Sequence, residues 1–152
     1  MQSFEKLLQK ALKFISLRPR SQKEILIYLQ QKSKRQNLKD TVLKELKTLD
    51  LIDDQAFVDW WLEQRATFRP KGKRALALEL RQKGIDKELI ERALAEKVDE
   101  EELARQAAKT KLRIWSKLPL DVQKEKLVGF LGRRGFTWPI LKKILDEVFK
   151  KG

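Results

Sequence analysis

The chain has 152 residues, with 35 Lys and Arg against 22 Asp and Glu, no Cys and no His, and a net charge of +13. Without Cys and His it can build no disulfide, no zinc finger and no Ser-His-Asp or Cys-His nucleophile. A balance this basic points to a polyanionic partner. No apolar run approaches the ~20 residues of a membrane span, and Glu5 sits where a signal peptide would need an apolar core. No membrane partner and a cytoplasmic location are therefore expected.

The predicted elements, in chain order, are all helical. Ser21-Gln22-Lys23-Glu24 is a capping box ahead of Ile25, Leu26 and Leu29, which share a helical face. A short insert, 33–37, precedes Leu38, Val42, Leu43, Leu46 and Leu49 at helical spacing. Asp53 and Asp54 are N-cap candidates for a helix carrying Phe57, Val58, Trp61 and Leu62, which must stop before Pro70. The next helix starts near Gly72 and ends at Gly84, a residue that tolerates positive φ. Asp86 then opens a helix bearing Leu89, Ile90, Ala93 and Leu94. Residues 100–118 form a further helix, followed by Leu120 to Arg134, Gly135 and a last helix with Ile140 and Leu141.

These elements repeat. Leu29, Leu80 and Leu131 recur at a constant spacing of 51 residues, as do Ile25, Leu76 and Leu127, and Gly135 matches Gly84. A period of this length is one supersecondary unit used again. The fold class is all-α, with three tandem three-helix repeats packed into an elongated modular protein. The expected boundaries are 1–52, 53–98 and 99–152; the first helix of the third copy aligns least well.

Candidate binding residues follow from repeated charge. Arg18, Arg20 and Lys23 flank the start of the first middle helix, and Arg69, Lys71, Lys73 and Arg74 flank the second; Arg133 and Arg134 close the third. A cation at a helix start opposes the helix dipole, so a phosphate or a carboxylate is expected to complete each site. Residues 105–117 are basic without an acid, whereas residues 86–102 are net acidic and suit helix starts, surface pairs or a protein partner. Asp53 and Asp54 read as helix caps, not as a metal or nuclease pair, since no third ligand stands at useful spacing. Trp61 belongs to the core. Trp60, about 100° away around the helix, is an inter-module contact or a protein-contact candidate. Trp115 and Trp138 are expected in or beside the core. Gly72-Lys73-Arg74 lacks the spacing of a phosphate-binding loop. No catalytic residue, metal or cofactor is expected.

The run Leu46-Lys-Thr-Leu-Asp-Leu-Ile-Asp-Asp-Gln-Ala-Phe57 resembles a signature of the RecX family. Arg65, Gly72, Leu80 and Lys83-Gly84-Ile85 match its second-repeat pattern. Arg18 to Ser21 with Glu24 and Leu29 resembles its first repeat, and Leu127 to Phe136 its third. Val58 departs from the Ala frequent in the family. The resemblance implies a non-enzymatic negative regulator of the RecA recombinase, acting in DNA repair and the SOS response. It implies tandem three-helix modules lying along the RecA–DNA filament, blocking its growth or promoting its disassembly. Its partners would be the filament, recombinase plus single-stranded DNA, with weak direct DNA binding by a monomer. The rival reading is a general DNA-binding protein with helix-turn-helix-like modules that track phosphate.

Overall fold

A computed structural model describes residues 3–149, and among them the secondary structure is helical, without strands. The helices are α1 (Phe4–Leu17), α2 (Gln22–Lys32), α3 (Gln36–Thr48), α4 (Asp54–Phe68), α5 (Lys73–Gln82), α6 (Lys87–Lys97), α7 (Glu100–Ile114), α8 (Leu120–Arg133) and α9 (Trp138–Val148).

Local chemistry sets their ends. Ser3, Asp53 and Asp99 accept from backbone N–H groups in the first turns of α1, α4 and α7, and Ser21 with Glu24 completes the reciprocal box on α2. Asp86 occupies the N-cap position of α6 but makes no side-chain cap. Gly84 and Gly135 close α5 and α8 at φ of +79° and +87°, a left-handed conformation that costs a Cβ-bearing residue ~1–2 kcal/mol. The amides of Ile85 and Phe136 then return to the carbonyls of Leu80 and Leu131, as in the Schellman closure.

Packing runs within triplets. α1 meets α2 and α3, α4 and α5 meet α6, and α7, α8 and α9 meet one another. Each triplet has its own apolar cluster. The first is built on Leu7, Ile25, Leu29, Val42 and Leu46, the second on Phe57, Val58, Leu76 and Leu80, and the third on Leu127, Leu131 and Ile144. Phe57 is fully buried, a placement that contributes about 1.5–3 kcal/mol. Trp115 packs edge-on against Phe130 beside the third core. Trp138 does not join it. At i, i+3 and i+7 it shares the face of Leu141 and Leu145, but it stands at the first position of α9 and is 61% exposed. Periodicity describes the face of a helix; it cannot say where the core stops along the axis.

The triplets are joined through their middle helices. Lys23, at the start of α2, donates its Nζ to the carbonyl of Gln82 at the end of α5. Gly72, at the start of α5, donates its N–H over 2.8 Å to the carbonyl of Arg134 at the end of α8. The order α2, α5, α8 is therefore head to tail, with the starts of α2 and α5 facing the ends of α5 and α8. Val98 packs against both the second and third cores and Ala66 against the third, so the second seam is also apolar.

Candidate nucleic-acid interface

The starts of the first two middle helices, α2 and α5, are completed by carboxylates of the chain itself, whereas α8 follows Pro119 with no side-chain cap. The N–H of Gln22, first residue of α2, donates over 2.8 Å to Oδ1 of Asp54. The N–H of Lys73, first residue of α5, donates over 2.6 Å to Oε2 of Glu100. Asp54 and Glu100 are themselves the first residues of α4 and α7. Of the acid pair read from sequence, Asp53 thus caps its own helix and Asp54 caps the preceding module. Of the two anions expected at these helix starts, the structure uses the carboxylate.

Two half-buried glutamates act as hubs. Glu24 pairs with Arg18 at 2.6 Å and Lys83 at 3.3 Å, and also accepts from the N–H of Ser21. Glu79 pairs with Arg65 and Lys71, each at 2.7 Å, and accepts from Nε1 of Trp61. Burial alone would raise both carboxyls. The hydrogen bonds and charges of Arg18, Ser21 and Lys83 on Glu24, and of Lys71, Arg65 and Trp61 on Glu79, more than offset it and hold both below the ordinary glutamate value. A depressed carboxyl stabilises the fold above its unfolded pKa, about 4.3 for glutamate, and loses that contribution as pH falls through its folded value. The urea midpoint is therefore expected to decline as the pH drops below about 4. The Glu24→Gln/Glu79→Gln protein should start lower and decline less; equal declines would show that the hubs do not contribute.

The sequence-predicted cations now divide. Arg18 is held by Glu24 and lies 5.2 Å over the ring of Trp60. Trp60 is half-buried against the second core, so it bridges the first and second modules. Arg20 donates Nε to the carbonyl of Phe14 and lies over its ring, which stacks on Tyr28; burial and then Arg18 lower its pKa, against Glu24. Lys23 holds the first seam, and Lys71 is bound to Glu79. Lys73 contributes its backbone to the second seam. Arg69, Arg74 and Arg133 are exposed. Arg134 donates over 3.2 Å to the carbonyl of Pro70 and lies 4.6 Å over Phe130.

Much of the acidic stretch has internal employment too. Besides Asp99 and Glu100, Glu101 pairs with Lys143 and Glu102 with Arg105, each at 2.6 Å. Sequence reasoning did not single out Lys111, Phe68 or Phe130, which line a cleft with Arg134 where the second and third modules meet. The signal for Lys111 was the basic run 105–117; the two phenylalanines carried none.

Comparison with known proteins gives the same architecture. The family models described as RecX, second three-helix domain and RecX, third three-helix domain match residues 53–94 and 99–145. The chain is 34% identical over 142 residues to "Regulatory protein RecX" of Chlorobium limicola, covering 93% of this chain and 89% of that one. It is 36% identical over 135 residues to "Regulatory protein RecX" of Mycolicibacterium smegmatis, covering 83% and 70%. The crystal structure of RecX from Lactobacillus salivarius shares the fold, with a TM-score of 0.79 over 96% of each chain at 24% identity. A second crystal structure, of regulatory protein RecX, superposes with a TM-score of 0.77 at 26% identity, over 94% of this chain and 71% of that one.

Proposed function

Because this chain belongs to the RecX family of regulatory proteins, we propose that it is a non-enzymatic negative regulator that lies along a RecA–DNA filament and restrains recombination and the SOS response. The observation that carries this reading is the head-to-tail order of three like modules. A chain that offers similar faces at regular intervals suits a partner that is itself a helical polymer, and linked modules turn several weak contacts into one strong one. The charge of +13 adds attraction to a polyanionic nucleoprotein. It would act in the cytoplasm, as a monomer, by occupying contacts and not by turning over a substrate; the absence of His and Cys supports that.

The test is RecA ATP hydrolysis on single-stranded DNA with increasing amounts of the protein. Hydrolysis is expected to fall several-fold, with no nucleotide consumed by the protein alone. Undiminished hydrolysis and strand exchange at saturating protein would refute the reading. Binding bare duplex as tightly as a RecA-coated strand would favour a general phosphate-tracking DNA binder instead.

A further inference from the structure

The two seams are built alike but neutralised differently. At the first, Glu24 is the shared counter-ion of Arg18 and Lys83. Advancing each position by the repeat of 51 residues gives Arg69, Ala75 and Arg134 at the second seam. Both cations remain and their acid has become an alanine. Among the described residues neither Arg69 nor Arg134 has an ion-pair partner. Burial, followed by the charges of Arg69 and Arg65, pulls the Arg134 guanidinium below its ordinary value, as expected of cations without a counter-ion.

A cleft of about 220 Å³ opens beside them, lined by Phe68, Pro70, Thr110, Lys111, Phe130 and Arg134 among others, with no acid in its wall. Lys111 brings a third cation, its Nζ 5.1 Å from the ring of Phe130. At the rim stands Phe68, 77% exposed, directly before Arg69. Its counterpart at the first seam is the aliphatic Leu17.

We propose that this cleft is a binding site for single-stranded nucleic acid, with a backbone phosphate among Arg69, Lys111 and Arg134 and a base stacked on Phe68. A phosphodiester supplies the anion that the missing acid supplies at the other seam. The exposed ring distinguishes a single strand from a duplex, whose bases are already stacked, and from acidic side chains of a protein, which would leave the ring without a role. The inference deepens the filament reading by assigning the second seam to the DNA strand and not to the recombinase. It rests on that reading only for where the strand is met.

The experiment uses the full chain and a labelled oligothymidylate, without recombinase, following fluorescence anisotropy at several salt concentrations. The Arg69→Gln/Lys111→Gln protein is expected to bind roughly tenfold or more weakly at low salt. Its slope of log K against log salt should fall by about 0.7, the value for one single-strand phosphate no longer neutralised. Phe68→Ala should bind about fivefold or more weakly with the slope unchanged, since stacking carries no counter-ion term. Lys87→Gln/Arg92→Gln, which removes as much charge from exposed positions of α6, should bind within about twofold of wild type by the usual weakness of remote surface charge. Circular dichroism melts check that all variants are folded. Wild-type affinity and slope in the Arg69/Lys111 variant would overturn the proposal, as would an unaffected Phe68→Ala protein or an oligothymidylate that does not bind wild type at all. A variant that loses filaments but keeps the oligonucleotide would overturn it in favour of acidic protein contacts. Wild type that still suppresses RecA hydrolysis in any of these cases leaves the filament reading standing.

Discussion

Gly135→Val is expected to destabilise the protein by about 3 kcal/mol or more, the upper range for a single substitution. Three costs combine. The residue sits at φ +87°, where a β-branched side chain is strained. An added Cβ would fall 2.8 Å from the backbone nitrogen of Ala75 and closer still to its Cβ, and backbone cannot turn aside as a side-chain tip can. Relief therefore requires α5 and α8 to separate, which breaks the hydrogen bond from Gly72 to the carbonyl of Arg134. Gly84→Val, at the matching turn of the first seam, meets the Cβ, Cγ and Cδ of Lys23 instead; the outer two atoms can rotate away, so its cost should be smaller. Urea titrations of the two variants check the ranking. A Gly135 variant as stable as the Gly84 variant would show that the second seam is not close-packed.

Glu79→Ala should cost about 2–4 kcal/mol, comparable to breaking a buried ion pair by removing one partner. The loss leaves Arg65 and Lys71, respectively 28% and 19% exposed, facing each other without a counter-ion and takes the acceptor from Trp61. The penalty lies in the abandoned cations more than in the broken bonds, which a second variant separates. Replacing all three, Arg65→Met, Lys71→Met and Glu79→Leu, should recover most of the stability, because apolar groups of similar volume often replace such clusters without loss. Thermal melts of both proteins decide it. A triple variant as unstable as Glu79→Ala alone would mean that the bonds themselves, not the stranded charge, hold the module.

What could be read from the sequence was what local pattern encodes. Leu29, Leu80 and Leu131 recur at one interval because each fills the same place in its core, and all three are buried. Ser21 and Glu24 form their box because both partners lie within one helical turn. The second and third modules could be aligned through Gly84 and Gly135 because a left-handed turn leaves few alternatives to glycine. The destinations of the acids could not be read. Asp54 looks like part of a local cap, yet it reaches an amide 32 positions earlier in the chain, and Lys83 meets Glu24 across 59 positions. Nothing in the spacing of charges says which will meet, so the basic stretches looked uniform. In the folded protein some of those cations hold modules together and others stand open. Ala75 is unremarkable until the role of its counterpart Glu24 is known.

The unlike seams also differ mechanically. The second is a main-chain bond between helix ends, glycine set against backbone, with a shared apolar contact through Val98; its geometry leaves little to adjust. The first is spanned by side chains, Lys23 to a carbonyl, Lys83 to Glu24 and Arg18 over Trp60, besides a carboxylate-to-amide bond, Asp54 on Gln22, that the second seam matches with Glu100 on Lys73. Charged links of that kind weaken as counter-ions accumulate, whereas the second seam has no such dependence in its main-chain bond. The second and third modules are therefore expected to move together as the stiffer pair, and the joint to the first is expected to loosen as ionic strength rises.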